Sequence, residues 1–304
     1  MPLTPEQQAE LAHAPLCAPA DFQPRRPRLA LPAGACDTHA HVFGPWSRYP
    51  YVKARIYTPP DALPAQYAGL LQTLGVSRAV LIQPSVYGTD NTAMLDAMKA
   101  FPLPVRGVAV VDDAVSDDEL QRLHAAGVRG VRVNVVDVKE NKGVIDMAPL
   151  TALARRIAPL GWHVEFLMHA DEFPQLDRLF ADFPVPIVLG HLGYMKTAKG
   201  LQDPGFQALL RLVRDQRAWV KLTGPYRITG EALPYADVTP FAHTLLAAAS
   251  GQVIWGTDWP HVMMKSAMPN DAEFVNMLET WVPDAGLREK VLVKNPERLY
   301  RFAE

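Results

Sequence analysis

Residues 35–42, Ala35-Cys36-Asp37-Thr38-His39-Ala40-His41-Val42, read as a strand that turns from apolar to polar along its length. Side chains two apart in an extended chain point the same way, so His39 and His41 present two imidazoles to one side of a sheet. Near the other end a second apolar run, Val253-Ile254-Trp255, opens into Gly256-Thr257-Asp258-Trp259-Pro260. Between them the unit repeats. Short apolar, β-branched runs at 79–83, 105–111, 130–135, 163–168, 187–191 and 219–222 alternate with stretches carrying apolar residues at helical spacing, such as Leu150, Leu153 and Ile157, or Phe206, Leu209, Leu210 and Val213. Strands that read as continuous apolar runs between helices imply a parallel sheet covered on its outer face. Counted with 35–42 and 253–257 they make eight, and at 304 residues that is a single closed (β/α)8 barrel of TIM type. The expected layout is an extended Pro-rich leader over 1–28 and one barrel domain over 29–304, with one or two extra C-terminal helices between 271 and 302.

The composition excludes several classes. Lys plus Arg is 30 against 32 for Asp plus Glu, so a net charge of -2 offers no field for nucleic acid or an acidic membrane. No run approaches the ~18 apolar residues of a membrane span, and the N-terminus lacks a basic start followed by an apolar core. Cys17 and Cys36 form no spaced framework, which fits a reducing, cytoplasmic setting. The turn after the first strand, Phe43-Gly44-Pro45-Trp46, lacks the glycine pattern of a dinucleotide site. The expected partner is a small molecule, and the expected assembly a monomer or small homo-oligomer.

Barrel chemistry sits at the carboxyl ends of the strands, and polar residues gather there: His39, His41, Gln83, Ser85, Asp112, Arg132, Asn134, His169, His191, Thr223 and Asp258. First and eighth strands are neighbours in a closed barrel, so Asp258 is expected beside His39 and His41. His191 ends the sixth strand between Gly190 and Gly193. A carboxylate can take a proton from water and return it to a leaving oxygen. Two imidazoles and a carboxylate with an open position also suit one hydrolytic Zn²⁺ on His39, His41 and Asp258, with His169 or His191 as a candidate further ligand. The plainer alternatives are structural histidines, an Asp258 that only caps its loop, and arginines that pair with acidic neighbours.

These residues carry a resemblance. The stretches Asp37-Thr38-His39-Ala40-His41-Val42-Phe43-Gly44, Tyr57-Thr58-Pro59, Gly88-Thr89-Asp90-Asn91, Gly130-Val131-Arg132-Val133-Asn134, Gly190-His191-Leu192-Gly193, Gly224-Pro225-Tyr226-Arg227 and Gly256-Thr257-Asp258-Trp259-Pro260-His261 resemble the amidohydrolase superfamily, in its 2-pyrone-4,6-dicarboxylate lactonase-like branch. The resemblance implies a distorted (β/α)8 barrel that opens a small anionic lactone by water attack. It implies Asp258 as general base, His39, His41 and His191 polarising the lactone carbonyl, and Tyr57, Arg132 and Arg227 holding substrate carboxylates, without an obligatory metal. Ser85 is added as a further substrate contact. Two departures stand out. The position six beyond Arg132, where that branch has another arginine, is Val138 with Lys139 beside it, and the fourth strand ends without the lysine or glutamate that bridges two metals. The rivals are a sugar-acid lactonase or lactone isomerase, a zinc-dependent decarboxylase, and a noncatalytic binding protein on a barrel scaffold.

Overall fold

Eight parallel strands follow one another around the sheet in sequence order: β1 (Cys36–Ala40), β2 (Arg78–Ile82), β3 (Val105–Ala109), β4 (Val128–Asn134), β5 (His163–Leu167), β6 (Ile187–Leu189), β7 (Ala218–Leu222) and β8 (Val253–Trp255). They come from a computed structural model that describes residues 10–136 and 145–303. Val138 and Lys139, on which the third-arginine question turns, lie outside the described residues.

The helices between the strands start where the chain supplies an acceptor for their unpaired N–H groups. Pro204 opens the helix Pro204–Arg214, and the Asp203 carboxylate accepts from the Gly205 and Phe206 N–H groups. That helix buries Phe206, Leu209, Leu210 and Val213, the stripe its spacing foretold. The helix Pro64–Leu74 stops at Gly75, whose φ of 79° suits a glycine cap. Past β8 the chain is broken into the short helices Asp271–Asn276, Leu278–Trp281, Ala285–Glu289 and Asn295–Tyr300, with a π turn at Lys290–Lys294, rather than one or two continuous ones.

Closure between β1 and β8 is made largely by side chains. The ladder at this seam is reduced to a bridge between Ala40 and Trp259. The Asp37 carboxylate accepts from the His39 and Thr257 N–H groups at 3.1 and 2.9 Å and from the hydroxyls of Thr257 and Tyr67 at 2.6 and 2.9 Å. Thr38 Oγ1 donates to the Trp255 carbonyl at 2.8 Å. Gly256 is required here, since a Cβ would stand 2.7 Å from the His39 nitrogen.

The barrel interior is layered. Tyr300, from the last tail helix, packs with Cys36, Val80, Val108, Val188, Trp219 and Ile254 across the amino-terminal end of the strands. Above this apolar plug stand Glu165 and Lys221, both buried, and above them the histidines and Asp258. The leader braces the outside. Cys17 N–H donates to the Thr58 carbonyl, and Asn270 Nδ2 donates to Asp21, so residues 15–28 tie the loop after β1 to the tail.

Candidate active site

The two sequence stretches that opened the reading are joined backbone to backbone. Asp258 N–H donates to the His39 carbonyl at 2.9 Å and His41 N–H donates to the Trp259 carbonyl at 2.8 Å. One feature of β1 departs from a regular strand: the two residues between Asp37 and Ala40 stand opposite the single residue between Ala79 and Leu81 on β2. Such a bulge re-aims the side chains around it. His39 and His41 consequently converge, with ring centroids 5.1 Å apart and planes at 84°, and His191 stands 5.0 Å from His39.

Asp258 is held in a left-handed backbone conformation, φ 70°, which costs a non-glycine residue about 1–2 kcal/mol. Its two carboxylate oxygens have different surroundings. Oδ2 accepts from Arg227 Nε at 2.7 Å and from the Tyr226 hydroxyl at 2.5 Å. Oδ1 accepts from no protein donor and faces His39 Nε2 at 3.6 Å and His41 Nε2 at 4.0 Å. Burial pushes this carboxyl up, but the Arg227 guanidinium and then the three histidines outweigh it and hold Asp258 well below the usual carboxylate range. Burial also lowers His39 well below its ordinary value, with Lys221 and His191 adding to the effect, and sets His41 at about 4 and His191 at about 3. At neutral pH the site is one carboxylate among uncharged imidazoles.

The hydrogen-bond partner of His41 fixes its tautomer. His41 Nδ1 meets the Ile82 carbonyl at 2.8 Å, an acceptor, so Nδ1 carries the proton and Nε2 is bare. His39 Nδ1 lies 3.2 Å from Glu165 Oε1, an acceptor, and 3.3 Å from Lys221 Nζ, a donor that also reaches the Thr38 carbonyl at 2.8 Å and Glu165 Oε2 at 2.7 Å, so either ring nitrogen of His39 can carry its proton. His39 Nε2 has no hydrogen-bond partner. The His41 lone pair and Asp258 Oδ1 converge beside it, which suits the hydrogens of a water, or a cation. Among the described residues His39, His41 and Asp258 form the group able to hold a metal, their ligand atoms lying within 4.8 Å of one another. His169 lies apart from that group, beside Tyr194 at 4.7 Å between centroids.

The remaining expected residues stand around this centre. Arg132, on β4, donates to the Gln83 carbonyl at 2.9 Å. Arg227, in the turn Pro225–Arg227, gives Nε to Asp258 and Nη2 to the Val262 carbonyl, so two of its donors are taken within the protein, one of them by the base itself. Ser85 opens the turn Ser85–Tyr87 directly after β2, and Tyr57 is buried in the loop after β1.

Glu165 and Lys221 were missed at the sequence level. Their signal was a charge inside each of two apolar strand runs, Val164 to Met168 and Trp219 to Leu222. A buried pair that loses one member leaves an uncompensated charge, so Glu165→Leu is expected to destabilise the fold by about 3–5 kcal/mol. Glu165→Leu with Lys221→Met removes both charges and should recover much of that stability in denaturant titrations, while activity stays low because His39 Nδ1 has lost both of its polar neighbours. Full activity in the double variant would show that the pair does not orient His39.

Residues 36–302 match the amidohydrolase family profile. The chain is 42% identical to a 2-pyrone-4,6-dicarboxylate hydrolase of Comamonas testosteroni, with 91% of this chain and 93% of that protein covered. It is 36% identical to a 4-sulfomuconolactone hydrolase of Rhizobium radiobacter, covering 90% and 91%. An apo crystal structure from Agrobacterium tumefaciens superposes with a TM-score of 0.79 at 28% identity, covering 90% of this chain and 98% of that one.

Proposed function

The chain belongs to the amidohydrolase family, and from that premise we propose that it hydrolyses a small lactone bearing at least one carboxylate or sulfonate. The observation that carries the reading is the asymmetry of Asp258: Oδ2 is tied to Arg227 and Tyr226, while Oδ1 accepts from no protein donor and faces His39 Nε2 and His41 Nε2. A water seated there gives one hydrogen to Oδ1 and the other to an imidazole nitrogen, which turns its lone pairs toward the barrel mouth. Asp258 takes the proton as the water attacks the carbonyl, and returns it to the ring oxygen as the ester bond breaks. His41 presents a lone pair, so it accepts the water's second hydrogen; His191, bound to neither a carbonyl nor Glu165, is assigned the lactone carbonyl. Arg132, the remaining donors of Arg227, Tyr57 and Ser85 are assigned the substrate's anionic groups.

The donor set also fits a single zinc, since one ligand atom each from buried His39, His41 and Asp258 lie within 4.8 Å of one another. His39, His41 and Asp258 would hold it, and when bound it supplies Lewis-acid polarisation of the carbonyl or the water. No helix among the described residues is long and apolar enough to cross a membrane. We place the enzyme in the cytoplasm, acting in the breakdown of aromatic compounds, on the similarity to the two lactone hydrolases and the unpaired Cys17 and Cys36.

Proton release and NMR of the product test the reading on 2-pyrone-4,6-dicarboxylate, a monoanionic muconolactone and an uncharged sugar lactone. Ring opening is expected for the anionic lactones, with the highest kcat/KM among them. A preference for the uncharged lactone moves the protein to the sugar-lactone class, rearrangement without uptake of water moves it to the isomerases, and release of carbon dioxide makes it a decarboxylase.

A further inference from the structure

Tyr226 connects the base to a buried pair that the proposed reaction does not itself use. Its hydroxyl lies 2.5 Å from Asp258 Oδ2 and 3.1 Å from His261 Nδ1, and His261 Nε2 lies 3.0 Å from Asp271 Oδ1. Tyr226 has one proton to give. Given to Asp258, it leaves the phenol oxygen as an acceptor, and among the described residues the neighbour placed to fill it is His261 Nδ1–H. The other ring nitrogen faces Asp271 Oδ1, with one proton shared between them. Every member is packed: His261 and Asp271 are 0% and 1% exposed, and Phe274 lies 5.2 Å from the His261 ring and 5.9 Å from the Tyr226 ring. The backbone is committed as well, since Asp258 and His261, three residues apart, both hold positive φ values of 70° and 60°. Asn270, next to Asp271, is bonded to Asp21 of the leader, which braces the far end.

We propose that His261, oriented by Asp271, is a positioning residue for the general base: it holds the Tyr226 hydroxyl so that its proton points at Asp258 Oδ2, which leaves Oδ1 to face the water. The inference rests on Asp258 acting as the base. Without His261 the phenol is free to turn, and the carboxylate loses one of the two donors that fix its plane. Buried groups that orient a first partner in this way cost about 10- to 100-fold in activity when removed.

The effect should fall on kcat and leave KM nearly unchanged, because no link of the chain is assigned a substrate contact. With 2-pyrone-4,6-dicarboxylate as the probe, His261→Ala and Tyr226→Phe are each expected to lower kcat about 10- to 100-fold. The double variant should fall no more than about threefold below the worse single one, since both cut the same chain. His261→Gln keeps an N–H donor and is expected to recover most of the loss, which also covers an alanine variant that folds poorly. Losses that multiply in the double variant, a rise in KM at constant kcat, or a glutamine variant as slow as alanine would each overturn the assignment. A readout without substrate separates this inference from the lactonase reading. In ¹⁵N-histidine-labelled protein, His261 should show an Nδ1 proton that moves in Tyr226→Phe. A His261 with no proton on Nδ1 overturns the chain even where the lactone is opened; an Nδ1 proton that moves, with no lactone opening, upholds the chain and ends the lactonase reading.

Discussion

Asp258→Asn should lower the rate of lactone opening by about a thousandfold or more, because asparagine keeps the shape of the side chain but cannot accept the proton from water. The structure adds a condition. Asp258 is also the counter-charge of Arg227, at 2.7 Å, and removing one partner of a buried pair strands the other. The substitution is therefore expected to lower stability as well, and the rate must be read on protein shown to be folded by circular dichroism at the assay temperature. Substrate affinity should change far less than kcat. A variant that kept more than about a tenth of the wild-type turnover would remove Asp258 from the role of base.

The second large effect separates the two arginines. Arg132 touches a backbone carbonyl within the protein, whereas Arg227 touches the base. Arg132→Met is expected to cut kcat/KM for a dianionic lactone about 30-fold to a thousandfold, or roughly 2–4 kcal/mol, and to leave an uncharged lactone nearly unaffected. Arg227→Met should slow both, since it takes away the strongest influence holding the Asp258 carboxyl down. The sign can be checked by pH. In wild type Asp258 stays ionised through the weakly acidic range, and activity should fall only near pH 4 and below, where His41, at about 4, also begins to charge. Once Arg227 is gone, burial raises the Asp258 carboxyl, and the acid fall in kcat/KM must move to higher pH. An unmoved acid limb in Arg227→Met, or equal losses on charged and uncharged lactones in Arg132→Met, would contradict these roles.

Much of the fold was legible because its signals are local. Each strand core is a short β-branched run whose period and length do not depend on distant partners, and helices such as Pro204–Arg214 carry their own cap and stripe. The barrel then follows from counting, and with it the meeting of His39, His41, His191 and Asp258, because strand ends in a closed parallel barrel share one face. Other features required the tertiary structure. Lys221 and His39 are 182 residues apart in sequence, and the partner of a buried charge is decided by which strands face each other across the barrel, not by spacing along the chain. The same holds for Arg227, which by residue type suited a substrate carboxylate equally well but was closed onto Asp258 by the positive φ at that residue and the turn Pro225–Arg227. The tautomer of His41 was beyond the sequence for a related reason: a proton sits where an acceptor is, and that acceptor, the Ile82 carbonyl, comes from β2. Local chemistry thus determined which residues reach the mouth of the barrel, while closure of the barrel decided which of their atoms are bonded and which remain open to react.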